Sequence, residues 1–134
     1  MFRPDEPLSI VHDITALQYA LEKAERRPIV VVQEPRRADG SISDIPVVTN
    51  LTGSRAVVAR ALGINDHQTA APIYAQRTGN HIAPEKISGD SAPVQEIVLE
   101  GDYIDLTKLP ALTQHVTDPG PYLTAAHATT YDPD

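Results

Sequence analysis

Apolar residues recur at three- and four-residue steps over residues 13–25, at Ile14, Leu17, Leu21 and Ala24, the spacing that lines one face of an α-helix. Asp13 stands where its carboxylate can cap the free amides of the first turn. Arg27 precedes Pro28, whose ring disfavours helical geometry at the residue before it, so the chain passes directly into the run Ile-Val-Val-Val at 29–32. Continuous β-branched apolar residues of that kind predict a strand buried on both faces.

Residues 34–44 read as a charged loop around the turn pair Asp39-Gly40, and a second strand follows over 45–49. Pro46 donates no ladder hydrogen bond, which makes that end an edge or a start. Helical spacing returns over 54–62 at Val57, Val58, Ala61 and Leu62 and stops at Gly63, a residue suited to the left-handed turn that closes helices. A shorter helix is expected over 71–79, with Pro72 in its first turn and Gly79 past its end. Beyond it, 94–100 and 122–131 read as strands, and 105–109 as one helical turn before Pro110. The expected fold class is α/β (α+β), with the helices at 13–25 and 54–62 covering a small mixed sheet that contains residues 29–32 and buries Leu17, Leu21, Val30 and Val32.

A length of 134 residues fits a single domain, 1–134. Twelve prolines, against a usual share near ~5%, call for short elements and stiff loops. The longest apolar run, at 29–32, is far short of the ~20 residues of a membrane helix. The start Met-Phe-Arg-Pro-Asp-Glu-Pro lacks the basic and apolar regions of a signal peptide. The absence of cysteine removes disulfides, thiolate nucleophiles and iron-sulfur clusters, and the expected location is cytoplasmic. Net charge is -7, unevenly spread: residues 1–67 hold 8 basic against 9 acidic side chains, and residues 68–134 hold 3 against 9. An acidic half with few aromatics repels phosphate backbones, so no nucleic-acid partner and no membrane partner is expected.

Read only as chemistry, the residues display no complete active site. His12, His67, His81, His115 and His127 are too dispersed for a same-helix metal pair, and isolated histidines are the better reading. Asp102 and Asp105 suit a solvated turn and a helix cap better than paired catalytic carboxylates. Thr52-Gly53-Ser54-Arg55 at a helix start can receive an anion, but it lacks the glycine-rich spacing and Lys of a phosphate loop, which favours ordinary capping by Ser54.

An ordered set of segments carries a resemblance. It comprises Tyr103-Ile104-Asp105-Leu106-Thr107-Lys108-Leu109-Pro110, then His115, then Asp118-Pro119-Gly120-Pro121-Tyr122-Leu123-Thr124, and finally Asp132-Pro133-Asp134. It resembles the UbiD family of decarboxylases, whose members carry a D-L-x-x-L-P segment, a nearby His, a D-x-G-x-Y-[IL] segment and a strand ending in a Pro-Asp turn. The stretch Asn50-Leu51-Thr52-Gly53-Ser54-Arg55 and the helix closing on Ala61-Leu62-Gly63 are similar to the family's N-terminal α/β region. The likeness runs from about Val11 to Asp134.

The resemblance implies reversible removal of CO2 from aromatic or α,β-unsaturated acids by prenylated FMN, held with a divalent metal (Mn or Mg) in the complete enzyme. The family's metal-binding Asn and catalytic Arg follow the Pro-Asp turn, and its Glu residues come much later. This chain therefore resembles an N-terminal piece, its part from about 94–134 leading into a flavin-binding region that is absent, and no catalytic or metal-binding residue is assigned. Neither His115 nor His127 matches the family's metal ligand. Thr124, on the strand leading toward the flavin, is the one cofactor-binding residue carried over. Expected partners are the remainder of the decarboxylase or a companion subunit, with homo-oligomerisation of the complete enzyme. The chain alone is expected to hold no prenylated FMN and to be inactive. The alternative is a non-catalytic scaffold or regulatory module partnering a full-length decarboxylase.

Overall fold

The computed structural model describes residues 1–123. The chain divides into two compact units, one formed by residues 1–50 with the stretch from 109 onward, the other by residues 51–108. In the first, helix α1 spans Asp13–Lys23, strand β1 Val30–Val32 and strand β2 Val47–Thr49. The strands pair antiparallel in the register Val30 with Thr49, Val31 with Val48 and Val32 with Val47. On its other side β1 receives the N-terminal segment, where Phe2 forms a parallel bridge to Val30. The Phe2 amide donates to the Ile29 carbonyl at 2.8 Å and the Val31 amide to the Phe2 carbonyl at 3.0 Å. β1 is thus flanked on both sides and all three of its residues are buried, as its continuous β-branched sequence predicts. Pro46 stands just before β2, the place where a missing donor costs no ladder bond.

α1 closes the core by laying Ile14 and Leu21 against Val30, Val32 and Val47, with Ile10 buried beside them and Leu17 partly buried at the margin. The Gln18 side-chain amide donates to Thr49 Oγ1 at 2.8 Å and fixes the helix to β2. The loop before β2 turns at Gly40, φ 87°, and Asp39 accepts from the Ser41 amide and hydroxyl at 2.9 and 2.7 Å. Ser43, fully buried, is satisfied there by the Arg37 guanidinium at 3.1 Å and the Ile45 amide at 3.2 Å.

The capping expected of Asp13 is not formed. His12 occupies the N-cap position with φ 70° and makes no side-chain cap, while Asp13 Oδ2 accepts from the Ser9 amide at 3.0 Å. The carboxylate points back along the entering chain because Asp13 already has helical geometry, and an N-cap side chain must sit one residue earlier. At the other end α1 stops at Lys23, short of residue 25. The Arg26 amide donates to the Leu21 carbonyl at 2.8 Å and the Glu25 amide to that of Glu22 at 2.9 Å. This is the paired closure that normally places glycine in the left-handed position, and here Glu25 holds it at φ 56°.

In the second unit, α2 spans Arg55–Ala61 and α3 Ala70–Thr78. Ser54 caps α2 as expected, its hydroxyl accepting from the Val57 amide at 3.2 Å. Gly63, φ 69°, ends it: the Ile64 amide donates to the Ala59 carbonyl at 2.8 Å and the Gly63 amide to that of Arg60 at 3.0 Å. Ala59 and Ile64, the apolar pair that this closure brings together, are both buried. The Arg77 guanidinium of α3 donates to the Leu62 carbonyl and ties the helices.

The strand expected over 94–100 does not form. A 3-10 turn, Pro93–Gln95, opens that run, and the residues that follow have no ladder partner among the described residues. A strand needs a neighbour for its amides and carbonyls, so composition alone does not make one. The single turn expected at 105–109 is a 3-10 turn, Leu106–Lys108, opened by Asp105, whose carboxylate accepts from the Thr107 amide at 3.0 Å and hydroxyl at 2.6 Å. Of the strand expected over 122–131, Tyr122 forms an antiparallel bridge with Leu112, and residues 124–131 lie outside the described residues.

Two outcomes follow from this geometry. Glu25→Gly relieves a left-handed side chain and raises the unfolding free energy by about 0.5–1 kcal/mol, the left-handed penalty less glycine's extra chain entropy. Glu25→Ala, which keeps the Cβ, does not, and chemical denaturation of the three proteins checks the order. The Thr107 hydroxyl and amide hold the Asp105 carboxyl below the ordinary value of 3.8. A depressed carboxyl supports the turn fully above 3.8 and loses that support as the pH falls through the folded value. An NMR titration should show the Asp105 midpoint rising in Thr107→Val.

Candidate functional site

His12, Thr15, Ala16 and Tyr19 follow one another at the intervals of a single helical face. This face of α1 is opposed by the turn at residues 114–117. A parallel bridge between Val11 and Thr113 brings the two segments together: the His12 amide donates to the Thr113 carbonyl at 3.0 Å and the Thr113 amide to that of Ile10 at 3.1 Å. Asp118 then fixes the turn, its Oδ2 accepting from the Gln114 and His115 amides at 3.0 and 2.8 Å. His115 is set beside Tyr19 with ring centroids 6.3 Å apart and planes inclined by 59°.

Between these elements lies an open groove of about 430 Å³, lined by His12, His115, Tyr19, Gln114, Thr15 and Thr117 together with Ala16 and Val116. His12 combines a left-handed backbone with a buried Nε2 that has no hydrogen-bond partner among the described residues. Among the described residues no Lys or Arg lines the groove.

The remaining sequence candidates are not gathered there. His67 and His81 are exposed in the second unit, and His127 lies outside the described residues, as does Thr124. Ser54 is spent on capping α2, a helix of seven residues, and Asp105 on its own turn. Asp102 lies in the separate 3-10 turn Gly101–Tyr103. Among the described residues no group of three or more His, Asp or Glu side chains gathers to hold a metal ion. These residues therefore do not fit the metal-held flavin phosphate that the resemblance implies. Sequence reasoning missed the groove: the spacing of His12, Thr15, Ala16 and Tyr19 was a visible signal, but the pairing of Val11 with Thr113 is a long-range event with no local signature.

Comparison with known proteins places this architecture. Residues 3–75 match the family described as the 3-octaprenyl-4-hydroxybenzoate carboxy-lyase N-terminal domain, and residues 85–134 match the Rift-related domain of the same carboxy-lyase. Among solved structures, the chain is similar to an evolved dimeric form of the UbiD-class enzyme HmfF from Pelotomaculum thermopropionicum in complex with prFMN, with 30% identity and a TM-score of 0.73. That match covers 92% of this chain and 27% of the HmfF chain. Two domain matches in family order and one superposable fold agree: the chain belongs to the UbiD family of carboxy-lyases.

Proposed function

We propose that this chain supplies the N-terminal part, or a subunit, of a decarboxylase that reversibly removes CO2 from aromatic or α,β-unsaturated carboxylic acids with prenylated FMN and a divalent metal. The observation that carries the reading is the match over 92% of the chain to an enzyme that holds prFMN. The flavin supplies the electron sink for CO2 loss, and the protein's share in such chemistry is to bind, orient and exclude water. In this reading residues 1–134 act as one functional region, Thr124 contacts the cofactor, and the catalytic and metal-binding residues belong to the remaining polypeptide, whether continuous or a companion subunit. The complete enzyme is cytoplasmic and homo-oligomeric; the dimeric form of HmfF supports the latter.

The test has two arms. The purified 134-residue protein, mixed with prenylated FMN, Mn²⁺ and a panel of aryl and acrylic acids, retains no flavin through gel filtration and releases no CO2. A chimera in which these 134 residues replace the matching part of HmfF retains prFMN and releases CO2 from the acid that HmfF accepts. Turnover by the isolated chain contradicts the division of labour. A folded chimera that holds no flavin contradicts the decarboxylase reading and favours a regulatory or scaffolding module.

A further inference from the structure

The loop between β1 and β2 turns at Asp39-Gly40, where an aspartyl carboxyl precedes a residue with no side chain to shield its amide nitrogen. In a flexible chain such a pair reacts with itself. The Gly40 nitrogen attacks the Asp39 carboxyl carbon, a C–N bond forms, and the carboxyl hydroxyl leaves with the amide proton as water. Water then opens the five-membered succinimide at either carbonyl, returning aspartate or leaving isoaspartate, whose main chain runs through the side-chain methylene. Nothing but water is consumed or released. In the folded loop both reacting groups are occupied. Asp39 Oδ1 accepts from the Ser41 hydroxyl at 2.7 Å and the Ser41 amide at 2.9 Å. The Gly40 amide donates to the Arg37 carbonyl at 3.0 Å, and the Arg37 amide closes the turn on the Ser41 carbonyl at 2.7 Å. Attack requires the carboxyl carbon to face the Gly40 nitrogen and that nitrogen to release its proton, and each is committed elsewhere. The Ser41 hydroxyl, and then its amide, also hold the Asp39 carboxyl below its ordinary value, whereas water is lost from the neutral acid. Gly40 itself stands at φ 87°, a position that a slower-reacting residue with a Cβ would occupy only under strain.

We propose that Asp39-Gly40 is a site of isoaspartate formation that the Ser41 hydroxyl holds closed, so that the reaction proceeds only through local opening of residues 37–41. The modification has a route into the core. The Arg37 guanidinium donates to the Ile42 carbonyl at 2.8 Å and to the hydroxyl of the fully buried Ser43 at 3.1 Å. An extra methylene in the main chain between Arg37 and Ser41 breaks the closure of the turn and displaces these contacts, which lead into β2. The site belongs to the β1–β2 loop alone and is independent of the decarboxylase reading.

The test follows isoaspartate at residue 39 by peptide mapping with electron-transfer fragmentation, during incubation of the 134-residue protein at neutral pH and physiological temperature. A synthetic peptide of residues 36–43 gives the rate without the turn. In the folded protein isoaspartate forms about tenfold or more slowly than in the peptide, because only the opened turn reacts. Ser41→Ala, which lacks the hydroxyl, converts faster than the natural chain by about threefold or more. Ser41→Thr, which keeps the hydroxyl, converts at the natural rate, and Asp39→Glu, whose ring would need six members, forms none. The converted protein melts at a lower temperature than the unconverted one. The proposal is overturned by a folded protein that converts as fast as the peptide, by Ser41→Ala converting no faster than the natural chain, or by Ser41→Ala and Ser41→Thr converting alike. Denaturant midpoints measured in parallel separate opening of the turn from global unfolding: an acceleration in Ser41→Ala matched by an equal loss of global stability assigns the reaction to the unfolded chain and overturns the proposal as well.

Discussion

Three consecutive valines govern the first unit. Val30, Val31 and Val32 are all buried, so each backbone amide and carbonyl among them must find a partner in the protein, because an unpaired one away from water costs about as much as a lost hydrogen bond. That demand recruits β2 on one side and the Phe2 segment on the other. Once β1 is flanked, its side chains define the floor on which Ile14 and Leu21 of α1 settle. The helix in turn carries His12 and Tyr19 to the groove. Position at the groove is therefore inherited from the pairing of a three-residue strand.

The two units resolve the same requirement differently. In the first, a strand is paired on both edges and a helix covers it. In the second, α2 ends in a complete helix closure at Gly63 and the bond from Arg77 ties α3 to it, but residues 94–106 keep apolar side chains in water. The family's N-terminal and Rift-related domain matches follow one another along the chain, and the first unit carries its own core.

Local rules made much of this legible. The stripe of α1, the double-sided burial of β1, the turn at Gly40, the cap at Ser54 and the stop at Gly63 each follow from a few neighbouring residues, and each is present. What escaped was long-range or depended on register. Asp13 was one residue too far into the helix to cap it, and Glu25 took a left-handed position that composition reserves for glycine. The bridges from Phe2 to Val30 and from Val11 to Thr113 join segments with no signal of their own. The run at 94–100 has strand composition but no ladder neighbour among the described residues. The family resemblance was legible in the ordered segments from Tyr103 onward, whereas the one cofactor contact it suggested, Thr124, lies outside the described residues.

The central claim is that the pairing of β1 organises a core that the 134-residue chain forms by itself. Native-state hydrogen exchange at the Val31 amide, which donates to the Phe2 carbonyl, tests it most directly. If β1 is the last element to open, the free energy of exchange at Val31 in the isolated chain equals that of global unfolding measured by denaturant, and both fall together as urea is added. Exchange at Val31 through a small local opening, at a free energy well below the global value, would contradict the claim and leave the core dependent on a second polypeptide.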